Sequence, residues 1–209
     1  MQIECMILGE YATNCYILSG GQAGRCVLID PADDAPRLLA RLDKAGLVPE
    51  AVLLTHGHYD HLLAVPGLQA RWPALPVYCH PLDIPEDTVE YEGRRAFPTV
   101  AAFANLRTLC EGGQLELAGL AFTVLHTPGH TPGSVTFQCG QALFTGDTLF
   151  LESIGRTDFA GGDDRQMAQS LARLAALPLA DCPVYPGHDS PTTLAHERRF
   201  NPWLRFAQR

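Results

Sequence analysis

The stretch that decides the fold reads Thr55-His56-Gly57-His58-Tyr59-Asp60-His61 and comes directly after a short apolar run that predicts a buried strand. Gly57 ends the strand in a tight turn, which lets His56 and His58 share one direction. Asp60 and His61 begin the next, helical segment and can point elsewhere. Imidazoles and carboxylates are ligands that suit zinc or iron. Four of them within six residues exceed what one tetrahedral ion with an open position needs, so the stretch predicts two adjacent ions.

A histidine cluster on a solvated turn is the alternative interpretation of this stretch. Three later stretches argue against it, because each places a further ligand type directly after an apolar strand. These stretches are His126-Thr127-Pro128-Gly129-His130-Thr131-Pro132-Gly133-Ser134, Thr145-Gly146-Asp147-Thr148 and Pro186-Gly187-His188-Asp189.

The remaining histidines differ in their setting. Two glycines and two prolines around His130 force a sharply turned loop, which can hold one imidazole in a fixed direction. The alternative is that His130 is only a turn residue. His188 follows a strand and a Pro-Gly turn in the same way. His126 is interpreted as a structural residue or a partner of a ligand, with direct ligation as the alternative. His80 and His196 are predicted to be structural, and for His80 the alternative is contact with substrate.

Asp147 follows a glycine at the end of an apolar strand. A carboxylate is costly to bury there unless it is paired or bound to a metal. Its two oxygens also allow it to bridge two cations. Asp147 is therefore the predicted bridging ligand, and the alternative is an aspartate that caps the turn after the strand.

Composition narrows the class of protein. The 209 residues are 46% hydrophobic and 18% charged, which predicts one globular domain over residues 1–209. A net charge of −8 without a basic run argues against a nucleic-acid partner. The sequence lacks a run of apolar residues long enough to cross a membrane, and its first residues lack the pattern of a secretory signal. The seven cysteines form no CxxC pair. Together these features predict a cytoplasmic protein.

Hydrophobic patterning predicts strands at 2–8, 13–19, 25–29, 51–54, 75–79, 106–109, 114–117, 121–125, 134–139, 142–145 and 184–185. Helices are predicted from a cap at Asp33 or Asp34 to a stop at Gly46, over 61–72 with an interruption at Pro66-Gly67, over about 163–176, and over 192–200. The segment from 80 to about 105 is predicted to be loop-like and to overhang the site. Two strand-rich halves, each followed by helices, predict an α/β sandwich with the helices outside and the site at one edge.

Four motifs in this order, HxHxDH at 56–61, TPGHTPGS at 127–134, TGDTLF at 145–150 and PGH at 186–188, resemble the metallo-β-lactamase superfamily over nearly the whole chain. The segments NCY at 14–16, GRTDF at 155–159 and ERRFNP at 197–202 resemble, more narrowly, its short glyoxalase II-like (hydroxyacylglutathione hydrolase-like) metallohydrolases. The resemblance implies a four-layer αββα sandwich. It also implies two ions. One ion binds His56, His58 and His130, the second binds Asp60, His61 and His188, and Asp147 is shared by both.

The predicted chemistry follows from two divalent ions, for which zinc is favoured and iron or a mixed iron–zinc pair is the alternative. Two such ions lower the pKa of a bridging water toward neutrality, and the resulting hydroxide attacks an acyl carbonyl. Asp60 is predicted to orient this nucleophile and Asp147 to bridge the ions. A thiolate, with a pKa of about 8.5, leaves without a proton donor, whereas an amide nitrogen needs one. The predicted function is therefore hydrolysis of a small-molecule thioester.

Two other functions stay open on the sequence. The 155–159 segment also resembles one found in persulfide dioxygenases, which use a single iron, and a non-catalytic metal-binding scaffold is the third possibility. Arg156 and Asp158 are predicted to form a charge pair that fixes their loop beneath the site, and the alternative is an exposed surface pair that contributes little. Arg94 and Arg95, with Arg156, are the cationic candidates for binding substrate. Full-length glyoxalase II binds glutathione through a helical C-terminal region that is not expected here, so broad use of small thioesters is predicted.

Overall fold

Two six-stranded β-sheets dominate the structure, a computed structural model that describes residues 1–84, 89–92 and 95–207. The strands, in chain order, are β1 (Gln2–Leu8), β2 (Thr13–Ser19), β3 (Arg25–Ile29), β4 (Val48–Leu53), β5 (Val77–Cys79), β6 (Val89–Glu92), β7 (Arg95–Pro98), β8 (Leu106–Thr108), β9 (Gln114–Leu117), β10 (Leu120–His126), β11 (Val135–Cys139), β12 (Ala142–Gly146), β13 (Leu149–Phe150), β14 (Ser153–Ile154), β15 (Pro183–Pro186) and β16 (Thr192–Thr193). The helices are α1 (Ala35–Ala45), α2 (Val65–Arg71), α3 (Asp164–Ala175), α4 (Leu194–Phe200) and α5 (Pro202–Ala207). Short 3₁₀ turns cover Tyr59–His61, Pro81–Asp83 and Val100–Ala102.

Strand direction determines where the site lies. The first sheet has the order β1-β2-β3-β4-β5-β8, antiparallel up to β3 and parallel from β3 to β8. The second has the order β16-β15-β12-β11-β10-β9, in which only β12 and β15 pair in parallel. Parallel neighbours end at the same edge of a sheet. The turn 55–61 after β4 therefore lies near the residue that follows β3, and Asp147 after β12 lies near His188 after β15.

Alternation along the strands creates separate cores on the two faces of each sheet. In β3, Cys26 and Leu28 belong to the core beneath α1 and α2, whereas Val27 and Ile29 face the second sheet. The short apolar strands are thus buried on both faces, as the run before His56 had predicted.

Three apolar cores separate four layers. The first holds Leu38 and Leu42 of α1 and Val65 and Leu68 of α2 against the first sheet. The central core fills the space between the sheets with large side chains, including Tyr16, Phe122, Phe137 and Phe144. The third packs α3, α4 and α5 on the outer face of the second sheet through Met167, Leu171, Leu194 and Leu204. This arrangement confirms the predicted αββα sandwich.

The helix signals were only partly correct. Asp34 caps α1 by accepting a hydrogen bond from the Arg37 amide, and Gly46 ends the helix in a left-handed conformation, as predicted. The predicted helix over 61–72 with an interruption at Pro66 is wrong. A 3₁₀ turn and a separate helix α2 replace it, and Pro66 lies in the first turn of α2, where its missing amide hydrogen costs nothing. Among the described residues, no helix is long and apolar enough to cross a membrane.

The segment after β5 is more regular than predicted. It contains the hairpin β6–β7, and it returns to the ligand-bearing turn through Phe97, whose ring stacks on Tyr59 with centroids 4.0 Å apart. The hairpin β13–β14 and helix α5 also went unpredicted. Two-residue strands and a six-residue helix carry too little periodicity to be recognised.

Candidate metal centre

Three imidazoles converge at the edge where the two sheets meet. His56 and His58 come from the turn after β4, and His130 comes from the Pro-Gly loop after β10. The Nδ1 atom of His58 lies 3.1 Å from His56 Nε2 and 2.9 Å from His130 Nε2. These three nitrogen atoms form one group that can hold a cation.

A second group forms beside the first. His61 follows on the 3₁₀ turn, and His188 comes from the Pro-Gly turn after β15. Asp60 Oδ2 lies 3.5 Å from His61 Nε2 and 3.3 Å from His188 Nε2. Asp60 also accepts a hydrogen bond of 3.1 Å from the Thr13 hydroxyl, which orients the carboxylate.

Asp147 lies between the two groups. Its Oδ1 is 3.5 Å from His61 Nε2, and its Oδ2 is 3.5 Å from both His130 Nε2 and His188 Nε2. Gly187 makes room for this carboxylate, because a Cβ atom there would lie 2.2 Å from Asp147 Oδ1. The structure therefore brings together all seven residues that the sequence predicted as ligands.

The site fits divalent cations by its own hydrogen bonding. Among the described residues, two buried side-chain polar atoms lack a hydrogen-bond partner, and they are His61 Nε2 and Asp147 Oδ1. An unpartnered buried polar atom is costly, and both of these point into the ligand cluster. A set of five imidazoles and two carboxylates suits zinc or iron and is poorly suited to calcium or magnesium. The donor set does not choose between zinc and iron.

The four imidazoles that present Nε2 to the site are each fixed through Nδ1. His61 Nδ1 lies 3.0 Å from Asp30 Oδ2, and His130 Nδ1 lies 2.7 Å from the Arg156 carbonyl oxygen. His188 Nδ1 donates to the Tyr11 carbonyl, and His56 Nδ1 donates to the Thr55 hydroxyl, which in turn donates to Asp30. A proton on Nδ1 leaves the lone pair of Nε2 directed at the cation position.

Burial and neighbouring charges shift the pKa values of the ligands in both directions. Burial lowers the pKa of His56 well below its usual range and that of His58 to about 4, and neighbouring imidazoles add to the effect. Burial alone would raise the pKa values of Asp60 and Asp147, but the neighbouring imidazoles, led by His61, outweigh it and both pKa values are lowered. Burial alone would lower the pKa of His61, but the carboxylates outweigh it and raise this pKa well above its usual range. Two ionised carboxylates therefore balance the positive charge gathered at the site.

The His188 turn is held by the opposite sheet. The Asn14 side chain donates hydrogen bonds to the carbonyl oxygens of Pro186 and Asp189, at 3.0 and 2.9 Å. The Tyr16 hydroxyl donates to the Pro186 carbonyl at 2.6 Å. Asn14 and Tyr16 of the buried NCY segment of β2 therefore hold the turn that carries His188 in place from the opposite sheet.

Several predicted residues lie outside the ligand cluster. His126 stacks on His80 with ring centroids 4.3 Å apart and contacts the Pro132 carbonyl through Nε2, which agrees with a structural role. His196 pairs with Glu152.

The structure describes the predicted Arg156–Asp158 pair and one of the two other cationic candidates for binding substrate. Arg156 and Asp158 form the predicted pair at 2.6 Å, but both side chains are well exposed. Arg156 contacts a ligand through its main-chain carbonyl, which lies 2.7 Å from His130 Nδ1, and not through its guanidinium. Arg94 lies outside the described residues, and Arg95 begins β7.

Two buried carboxylates that support the ligand loops were missed by the sequence analysis. Asp30 accepts hydrogen bonds from the amide and the hydroxyl of Thr55 and contacts His61. The sequence does mark Asp30 as a candidate, because this aspartate directly follows an apolar strand, as Asp147 does. Asp83 accepts hydrogen bonds from the turn at 55–61 and from the loop after β10 that carries His130. It lies in the segment that was predicted to be loop-like. Nothing in the local sequence distinguishes Asp83 from a surface residue.

Comparison with known proteins agrees with this geometry. The sequence model of the Metallo-beta-lactamase superfamily matches residues 8–188. A hydroxyacylglutathione hydrolase of Xylella fastidiosa is 44% identical over 156 residues, which are 75% of this chain and 52% of that protein, so the match spans about half the length of the hydrolase.

Two solved structures cover nearly the whole chain. The BLEG-1 B3 metallo-beta-lactamase has a TM-score of 0.85 and 34% identity, covering 97% of this chain and 99% of that one. TTHA1623 in a di-iron-bound form has a TM-score of 0.82 and 41% identity, covering 96% and 99%. With its fold, its ligand cluster and these similarities, the chain belongs to the metallo-β-lactamase superfamily.

Proposed function

We propose that this protein is a binuclear metal-dependent hydrolase that cleaves small-molecule thioesters. The observation that carries the proposal is the position of Asp147, whose two oxygens lie 3.5 Å from imidazoles of both ligand groups. A carboxylate in that position is suited to hold two ions side by side. When bound, two divalent cations supply an ionised water at neutral pH and an electrophile for a carbonyl oxygen.

The protein's own residues prepare this reaction. His56, His61 and His130 are buried, whereas His58, Asp60 and His188 are only partly buried, so each ligand group has at least one ligand that reaches solvent. Asp60 has a lowered pKa and stays ionised at neutral pH, which makes it an acceptor that can orient an attacking water.

The leaving group favours a thioester over an amide. Aromatic rings border the ligands, with Phe159 beside His58 and His130 and Phe150 beside His188. These rings have no proton to give. A thiolate, with an ordinary pKa of about 8.5, departs without protonation, whereas an amine requires a proton.

The relatives support different parts of the proposal. The Xylella fastidiosa relative is named for hydrolysis of a hydroxyacylglutathione thioester, and TTHA1623 was solved with two irons. The BLEG-1 structure makes β-lactam hydrolysis the second candidate. The alternative of a persulfide dioxygenase predicts a single iron per chain. The alternative of a non-catalytic scaffold predicts bound metal without turnover. We also propose a reducing compartment such as the cytoplasm, because the cysteines carry free thiols.

One set of assays on a single preparation tests the proposal. Metal content is measured on the wild type, followed by thiol release from S-lactoylglutathione, ring opening of a β-lactam and oxygen uptake with glutathione persulfide. We expect two metals per chain and thiol release that Asp147→Ala abolishes. One metal per chain with oxygen uptake and no thiol release would favour the dioxygenase, and preferential β-lactam turnover would favour the lactamase.

A further inference from the structure

Asp83 connects the two loops that carry the first ligand group. It ends the 3₁₀ turn Pro81–Asp83 after β5, and it is only 5% exposed. Its Oδ2 accepts hydrogen bonds from the Gly57 amide at 2.9 Å and from the Thr131 hydroxyl at 2.6 Å. Its Oδ1 accepts one from the Gly133 amide at 2.6 Å. One carboxylate thus satisfies donors from both loops.

These donors lie next to ligands. Gly57 lies between His56 and His58, and Thr131 follows His130. The loops come from different sheets, and a main-chain hydrogen bond of 2.8 Å from the Val135 amide to the Thr55 carbonyl also joins them. The Asp83 bonds add donors that directly adjoin His58 and His130 in sequence, namely the Gly57 amide and the Thr131 hydroxyl.

The two glycines show how closely Asp83 is enclosed. A Cβ atom at Gly57 would lie 2.6 Å from the Asp83 carbonyl oxygen, and one at Gly133 would lie 2.5 Å from Asp83 Oδ1. Any side chain at either position would therefore push the loop away from the carboxylate. Glycine at both positions is therefore needed for the two loops to contact Asp83.

We propose that Asp83 is a positioning residue that fixes the loops of His56, His58 and His130, so that this three-imidazole group is formed before a metal binds. The inference rests on the metal site of the proposed function. Within the described part of the chain, the hydrogen bonds that Asp83 accepts come from the loops of the first group and not from Asp60, His61 or His188, so its effect is confined to one of the two ligand groups.

The carboxylate is required because both of its oxygens accept. In Asp83→Asn, the amide nitrogen replaces one oxygen and faces a donor. The Thr131 hydroxyl can turn toward Ser134 Oγ, which lies 2.7 Å away. The main-chain amide of Gly57 or of Gly133 cannot rotate toward another acceptor, and it would be left buried without a hydrogen bond.

Glu197 provides a matched control. It is fully buried, and its carboxylate also accepts three hydrogen bonds, from the Glu152 amide at 2.9 Å, the Thr192 hydroxyl at 2.7 Å and the Asn201 side-chain amide at 2.8 Å. None of these donors belongs to a ligand loop. Glu197→Gln should therefore lose stability through the same kind of defect while leaving both ligand groups in place.

The experiment is a zinc titration in competition with a chromophoric chelator, applied to the wild type, Asp83→Asn and Glu197→Gln. We expect Asp83→Asn to weaken one of two zinc ions by about 10- to 100-fold, the range found when partners of metal ligands are removed. The second zinc should bind as in the wild type, and Glu197→Gln should bind both normally. Wild-type affinity for both ions in Asp83→Asn would overturn the inference, as would equal weakening in Glu197→Gln.

Amide hydrogen exchange in the metal-free proteins gives a second readout that does not depend on metal. One of the two glycine amides, of Gly57 or of Gly133, should exchange faster in Asp83→Asn than in the wild type, and both should exchange at the wild-type rate in Glu197→Gln. Unchanged protection would also overturn the inference. A wild type that binds no metal would end the proposed function, and the exchange rates alone would then decide the role of Asp83.

Discussion

Gly187→Ala tests how tightly the bridging carboxylate is placed. The added Cβ would lie 2.2 Å from Asp147 Oδ1 and 2.7 Å from His61 Cε1, where an ordinary contact begins at 3.4 Å. The Gly187 backbone cannot retreat easily, because its amide donates to the Gly146 carbonyl at 2.9 Å and its carbonyl accepts from the Asn14 amide at 2.7 Å. Asp147 or His61 must therefore move by about 1 Å, several times the tolerance of about 0.2 Å in a metal–ligand distance.

The size of the effect follows from the cost of overpacking. Such an insertion costs about 1–3 kcal/mol. If Asp147 and His61 move to relieve it, most of this free energy appears as weaker metal binding, a loss of about 10- to 100-fold. Because Asp147 lies between both ligand groups, we expect both ions to be affected.

Zinc titration against a chelator measures the loss, and the melting temperature is recorded on the same samples. Gly140→Ala is the control, because Gly140 has a φ of +59° and a Cβ atom added there would meet no other atom within 4 Å. It should lower stability through backbone strain and leave metal binding unchanged. Two zinc ions bound with wild-type affinity in Gly187→Ala would refute the reasoning.

Three further predictions concern the ligands and the substrate. Asp147→Ala should lose both metals and His188→Ala chiefly one, because Asp147 approaches imidazoles of both groups; metal analysis after dialysis tests this, and two retained metals in Asp147→Ala would contradict it. Arg156→Ala should leave metal content unchanged, since the main-chain carbonyl of this residue holds His130, and a loss of metal would show that the exposed ion pair matters. Lactoylglutathione and other small thioesters should be hydrolysed with kcat/KM values within about tenfold, a spread of about 1.4 kcal/mol. Arg94→Ala combined with Arg95→Ala should raise KM for charged thioesters only, and a preference for the glutathione ester of about a thousandfold, or about 4 kcal/mol, would refute this breadth.

Most of the sheet structure could be predicted because each strand carries its own signal. The first three strands begin and end where the alternation of apolar residues and the glycine turns place them. Helix α1 has a cap, a proline in its first turn and a final glycine. Such signals act within a few residues of one another, so they can be read without knowing the fold.

The errors arise where distant residues decide the structure. Tyr59–His61 forms a 3₁₀ turn rather than the start of a helix, and there His61 is held by Asp30 from the neighbouring strand. The ligand types could be predicted from their places at strand ends. Asp83 could not, because its importance comes from Gly57 and Gly133, which lie 26 and 50 residues away along the chain.

The bond from Asn14 to the Pro186 carbonyl spans 172 residues and has a consequence for the order of events during synthesis. The ribosome releases the turn 55–61 early, whereas His188 emerges on the order of ten seconds later at ordinary rates of translation. Until β15 joins its sheet, six of the seven ligands can be present on a chain that has not completed its fold, and any metal they capture stabilises that incomplete state. Binding to the unfolded state subtracts from the stabilisation that the metal gives to the native state. Loading after β15 has docked is therefore the order in which metal does most to favour folding.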